Sequence, residues 1–253
     1  MADLNKVHHI VIGHDKIEEY NININILRNV FIKGKELLIT AVYNGGQSEG
    51  QLAHPAHPPV TVDNFIAIKE NKGYVWGAID AIKTGLNFIN TMESPREIVL
   101  LTNFDGIFFS EERYNWLIDD FIKSDKPFGS GMPRSHNYPL SDLMLFRKDF
   151  VSSFHEGMYK VVTDPSVHEW ATDSWECEHH ILSTLNVIGD VDKLWWRFER
   201  DIEWSGGRAY TFHKKYAFGH LHGNDQIHPK RDQYNAYSEK ESVLHTGRWI
   251  DIE

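Results

Sequence analysis

The chain has 253 residues, 41% hydrophobic and 25% charged, enough for one large α/β domain or two small ones. Its formal net charge of −10 disfavours a nucleic acid or an anionic membrane as partner, and no run approaches the roughly 18 apolar residues of a membrane span. A single cysteine, Cys177, excludes an intrachain disulfide, and the N-terminal stretch lacks the basic start and apolar core of a signal peptide, so a cytoplasmic protein without a transmembrane segment is expected.

In chain order, HHIVIG (8–13) reads as a short strand, and NININILRNVF (21–31) alternates with period two, as a half-buried strand does. KELLITAVYNGG (35–46) is a stronger strand that ends in a glycine turn. A Pro/His/Gly loop (47–60) follows, then a strand within 61–73 that stops at Asn71-Lys72-Gly73. From Tyr74 a helix is expected, with Val75, Ile79, Ile82, Leu86 and Ile89 on one apolar stripe. The next strand, 97–104, runs apolar from Ile98 to Leu101 and stops at Asn103-Phe104-Asp105-Gly106.

Ser110 can cap a second helix whose Glu111 and Glu112 suit the positive end of its dipole. Its stripe is Tyr114, Leu117, Ile118, Phe121 and Ile122. Residues 126–151 read as two strands around a Pro-rich loop, and 172–189 as a helix ending at Gly189. The remainder, 190–253, is aromatic- and His-rich with weak periodicity. Strands alternating with helices through the first 190 residues point to a three-layer α/β sheet. Ligands bind such sheets beyond the carboxyl ends of the strands, which would gather Tyr43-Asn44, Asn71-Lys72-Gly73 and Asn103-Phe104-Asp105 at one edge.

In a strand, residues i and i+2 point the same way, so Asn103 and Asp105 can face one site, with Phe104 turned into the core. Two oxygen-bearing side chains on one face suit Mg²⁺ or Mn²⁺ held jointly with phosphate oxygens, and Gly106 permits close approach of a ligand or backbone. The plain alternative is that Asp105 caps a turn before Ser110. NFDGIFF also resembles the haloacid-dehalogenase phosphatase signature, but an amide, Asn103, stands where that chemistry needs a nucleophilic carboxylate.

The order of several short motifs resembles the GT-A family of nucleotide-sugar glycosyltransferases. LLITAVYNG is similar to its first nucleotide-binding strand, and Val62-Asp63-Asn64 followed by ENKGYVWGAIDAI to the segments before a helix in bacterial sugar transferases. NFD resembles a variant Asp-x-Asp triplet, YPLSDLMLFRKDFV the strand after the acceptor loop, and WECEHHIL the helix bearing the acidic catalytic residue. The resemblance spans about 37–190. It implies an α/β/α sandwich with a mixed central sheet. One GT-A-like domain would cover 1–253, with a nucleotide-sugar half at 1–125 and an acceptor half at 126–253.

The implied activity is transfer of a sugar from a nucleoside-diphosphate sugar to the hydroxyl of a saccharide or glycan acceptor, with Mn²⁺ or Mg²⁺. Tyr43, Asn44, Asp63, Asn71, Lys72, Gly73 and Asn103 would hold the donor, and Asp105 the metal. The alternatives are a nucleotidyltransferase on a related sheet and a non-catalytic nucleotide- or saccharide-binding module.

An inverting transferase needs a base near the acceptor hydroxyl. The 172–189 helix offers Glu178, Glu176 and Asp173, the last two also spaced as a capping pair. Glu178 falls within the stripe of Cys177, Ile181, Leu182 and Leu185, where a carboxylate must be paired or used, and is preferred as base. His220 and His222 are an i, i+2 pair able to bind a metal, or two surface histidines in a Gly-rich loop. The resemblance implies the former, since some GT-A enzymes take a metal ligand from a C-terminal histidine. Arg208, Lys214 and Lys215 are candidates to screen the diphosphate leaving group, or are solvated charges.

Overall fold

The apolar runs near residues 10, 40 and 100 become the centre of a sheet because each is buried on both faces, the environment that favours uninterrupted aliphatic strands. The structure, a computed structural model, describes residues 6–13, 23–24, 27–28, 37–44, 62–68, 72, 74–108, 110–133, 137–164, 177–205, 208–213, 215–216 and 218–220. The strands are β1 (Val7–Gly13), β2 (Leu38–Tyr43), β3 (Asn64–Ala67), β4 (Ile98–Asn103), β5 (Gly106–Phe108), β6 (Phe128–Pro133), β7 (Leu143–Arg147), β8 (Trp195–Ser205), β9 (Arg208–His213) and β10 (Phe218–His220). The helices are α1 (Tyr74–Thr91), α2 (Glu111–Ser124), α3 (Lys148–Thr163), α4 (Cys177–Ile188) and the single turn α5 (Val191–Leu194).

Seven strands make a mixed sheet in the order β3-β2-β1-β4-β7-β6-β8, with β7 alone antiparallel to its neighbours. The second half of β8 pairs with β9, and the antiparallel ladder continues through β10 to β5. The strand that follows Asn103-Phe104-Asp105 is therefore paired with the C-terminal part of the chain.

Alternate residues of each central strand feed opposite sides. On one side Ile10, Val42, Val99, Leu101 and Phe146 pack against α1, α3 and α4. On the other, Val7, Val11, Ile39, Leu100 and Leu145 pack against α2 and the small ladder. Of the expected α1 stripe, Ile79, Ile82, Leu86 and Ile89 are at most 2% exposed and Val75 is half-buried. Ser110 caps α2 as expected, its hydroxyl accepting from Arg113 N at 3.3 Å, and Asp125 closes the helix in the left-handed conformation at φ 56°. Ile122, assigned to that stripe from spacing, is 40% exposed.

Three expectations change. Residues 23, 24, 27 and 28 are helical, so the period-two pattern of 21–31 does not mark a strand; Asn23 and Ile24 are both buried. Residues 148–151 are not strand but the start of α3, whose buried Val151, Phe154, Met158 and Val161 recur at helical spacing. The weakly periodic C-terminal region contains β8, β9 and β10.

Among the described residues no helix is long and apolar enough to cross a membrane.

Candidate functional site

The carboxyl ends of β1, β2 and β4 lie side by side, and short backbone bonds tie them. Asn44 N donates to Gly13 O at 2.7 Å, Phe104 N to Ile12 O at 2.7 Å, and Asn103 N to Asp142 O at 3.3 Å. Gly13 is fixed by packing: a Cβ there would sit 1.9 Å from the Phe104 ring, which folds over it and is 6% exposed. Phe104 thus turns into the core, as expected.

Asp105 reaches the edge by a different route from the one expected. β4 ends at Asn103, and Phe104-Asp105 form the turn into β5. The i, i+2 argument for a shared face does not apply, because the backbone must leave the sheet here for β5 to pair with β10. The turn is held by Asn23. Its side-chain nitrogen donates to the carbonyls of Asn103 (3.3 Å), Phe104 (3.1 Å) and Gly106 (2.8 Å), and the residue is 2% exposed. Gly106 is required for backbone packing: a Cβ would lie 2.7 Å from the Phe218 ring. Asp105 itself is half-buried.

In the β5–β10 register His220 lies opposite Gly106, one residue from Asp105, and is also paired with Thr211 of β9. His222 lies outside the described residues, as do Asn71, Gly73, Asp173 and Glu176.

Glu178 stands in the first turn of α4, half-buried. Its Oε1 accepts from Ser141 Oγ at 2.5 Å and Ser141 N at 3.3 Å. Ser141 precedes Asp142, whose carbonyl bonds Asn103, so the α4 carboxylate is tied to the loop that borders the end of β4. Asp142 is 2% exposed. Just after Glu178 in α4, His180 meets Trp76 and His179 meets Tyr138, each edge-on with ring centroids 5.2 Å apart. Cys177 is buried, and burial followed by the neighbouring Glu178 charge raises its thiol well above the ordinary value, so it is no nucleophile.

Other candidates are placed elsewhere or used otherwise. The Asp63 carboxylate accepts from Ile39 N at 2.7 Å and pairs with Arg28. Ile39 is four residues before Tyr43 in β2, so Asp63 lies about 13 Å from the carboxyl end of that strand and secures the start of the strand pair. Tyr43 and Asn44 stand at the edge but are only 6% and 4% exposed, and Tyr43 packs against Phe65 with ring centroids 6.3 Å apart. Lys72 is exposed and pairs with Asp80 of α1 at 3.0 Å. Lys215 is 2.7 Å from Asp120 of α2, away from this edge.

Sequence reasoning missed Asn23, Ser141 and the reason for Gly13. No local signal marks Asn23, since its partners are eighty residues on. Among the described residues, no three His, Cys, Asp or Glu side chains gather into a metal-holding group. What the edge offers is oxygen: the Asp105 carboxylate, the Asn103 amide and the Ser141-bound Glu178. No protein-family model matches the chain, and no curated protein matches it in sequence.

Proposed function

We propose that the protein is a metal-dependent glycosyltransferase of GT-A type that moves a sugar from a nucleoside-diphosphate sugar to an acceptor hydroxyl. The observation that carries the reading is the convergence of distant segments on one sheet edge. The Asn103-Phe104-Asp105 turn, the Ser141–Glu178 pair and the β10 strand bearing His220 come from separate parts of the chain. A mixed sheet with helices on both faces agrees with the fold that the resemblance implies.

The donor set fits a hard cation. Mg²⁺ or Mn²⁺ is commonly held by one or two protein oxygens with the rest of its shell from water and substrate phosphates. Asp105 and the Asn103 amide supply such oxygens. When bound, the cation would stabilise charge developing on the diphosphate as the glycosidic bond breaks. Asn23 and Gly106 set the backbone from which Asp105 projects. Ser141 fixes one oxygen of Glu178, leaving Oε2 to take the proton of the acceptor hydroxyl.

Full-length protein is assayed for transfer and donor hydrolysis with UDP-, GDP- and TDP-sugars, with Mn²⁺ or EDTA. Asp105→Ala is expected to abolish metal-dependent nucleotide binding without a change in the melting transition. Glu178→Gln is expected to lower kcat by about 100-fold or more with donor affinity kept. Transfer that persists in EDTA and in Asp105→Ala defeats the metal role.

The amide at Asn103 favours a second reading, a nucleotide-binding module without transferase activity. It predicts nucleotide binding with no donor turnover under any condition. Release of pyrophosphate from a nucleoside triphosphate would instead indicate nucleotidyl transfer.

A further inference from the structure

In a chain with a net charge of −10, a surface lined mainly by cations is a local departure. One lies at the end of the sheet opposite Asn103, where β6 and β8 begin in register, Phe128 beside Trp195. There the last turns of α2, the start of β8 and the β9–β10 turn enclose an open cleft of about 620 Å³. That is within the ordinary range for a small-molecule site. Lys123, Lys126, Arg197 and Lys215 line it, against one carboxylate, Asp120.

Lys126, Arg197 and Lys215 are held in place by neighbouring groups, and the carboxylate is already used. Asp120 Oδ2 accepts from Lys215 Nζ at 2.7 Å and from Tyr216 OH at 3.0 Å. Burial raises the Asp120 carboxyl, but these two bonds and the Lys215 and Lys123 charges together hold it below its ordinary value. The Arg197 guanidinium lies 4.6 Å over the Trp195 ring, and Lys126 Nζ donates to Asp192 O at 2.8 Å. Arg197 also pairs with Asp192 at 2.6 Å, but that carboxylate is 77% exposed, and such surface pairs exchange readily for a better anion.

One further feature suits a ring beside the anion. Trp196 is half-buried in the cleft wall, edge-on to Tyr216 with centroids 6.2 Å apart.

We propose that this cleft is a second binding site, distinct from the Asn103–Glu178 edge, for a small phosphomonoester on a ring, a sugar monophosphate or a nucleoside monophosphate. The phosphate would lie among Lys123, Lys126 and Arg197, and the ring on Trp196. The site does not depend on the transferase reading.

The test is isothermal titration of the full chain at low ionic strength with inorganic phosphate, a hexose monophosphate, a nucleoside monophosphate and unphosphorylated hexose. One of the two phosphomonoesters is expected to bind more tightly than inorganic phosphate, and the unphosphorylated sugar not at all; which one binds identifies the source. Lys123→Glu, at an exposed position on α2, is expected to weaken binding about tenfold or more, from loss of one charge-assisted contact. Asp105→Ala is expected to leave it unchanged. Two results overturn the proposal: no phosphomonoester bound by the wild type below about 10 mM, or equal affinity in wild type and Lys123→Glu. Loss of binding in Asp105→Ala would place the ligand at the other edge and equally defeat it.

Discussion

Asn23 holds three backbone carbonyls of the Asn103–Gly106 turn with one side-chain nitrogen. Asn23→Ala would leave buried carbonyls without that donor, at about 1–3 kcal/mol. Urea denaturation should show this as a lower midpoint at unchanged slope, and Asn23→Asp should cost more by facing oxygen with oxygen. A midpoint equal to wild type for both would show that the Asn23 clasp does not stabilise the turn. The sequence pointed to Asp105 and Glu178 because a carboxylate beside an apolar run demands a partner. It could not supply Asn23 or Ser141, whose roles exist only through partners tens of residues away. It also misplaced Asp63, because a carboxylate beside a strand reads the same whether it serves the start of the pair or its binding edge.

At the level of elements, the turn after β4 depends on how Phe104 seats over β1. Gly13→Ala would place a methyl 1.9 Å from that ring, a clash that only movement of Phe104 relieves. Overpacking of this kind costs about 1–3 kcal/mol. The expected result is a lowered thermal midpoint together with weakened nucleotide binding, since the displaced ring carries Asn103 and Asp105 on either side. A variant that melts and binds like wild type would show that the turn is independent of β1. Strong, locally written elements were legible: β2, α1, β4 and α2 follow from apolar runs, stripes and a serine cap. The helix α3 was equally legible in Val151, Phe154, Met158 and Val161, but its start abuts β7 without a break, Arg147 running straight into Lys148. The alternation at 21–31 misled because a buried polar residue, Asn23, occupies a position that spacing alone assigns to solvent.

For the molecule as a whole, the adjacent histidines of β1 couple stability to pH. His8 is bonded to Thr40 of β2 at 2.7 Å and His9 to Thr102 of β4 at 2.9 Å. Burial, then the Arg96 charge, lowers His8 from 6.5 to about 4; burial, then His8, lowers His9 from 6.5 to about 3. Both are neutral in the folded state. Below pH 6.5 the unfolded chain takes up protons that the folded chain refuses, so their contribution is complete above that pH and is lost as pH falls towards the folded values. At about 1.4 kcal/mol per pH unit for each histidine, the two together lose about 4 kcal/mol between pH 6.5 and 5. Melting temperature should fall steadily from about pH 6.5 to 5, before most carboxylates titrate, and His9→Gln should flatten the slope. A flat profile over that window would show that the pair is not held neutral. The sequence by itself determined the α/β class and the helices α1 and α2 with their buried stripes, because burial periodicity and capping are local. Only the tertiary structure decided that Asp105 sits in a turn rather than on a strand, that His220 lies beside Gly106 and that Glu178 rests on Ser141. Those are pairings between segments far apart in the chain, and strand register is set by packing that no local pattern encodes.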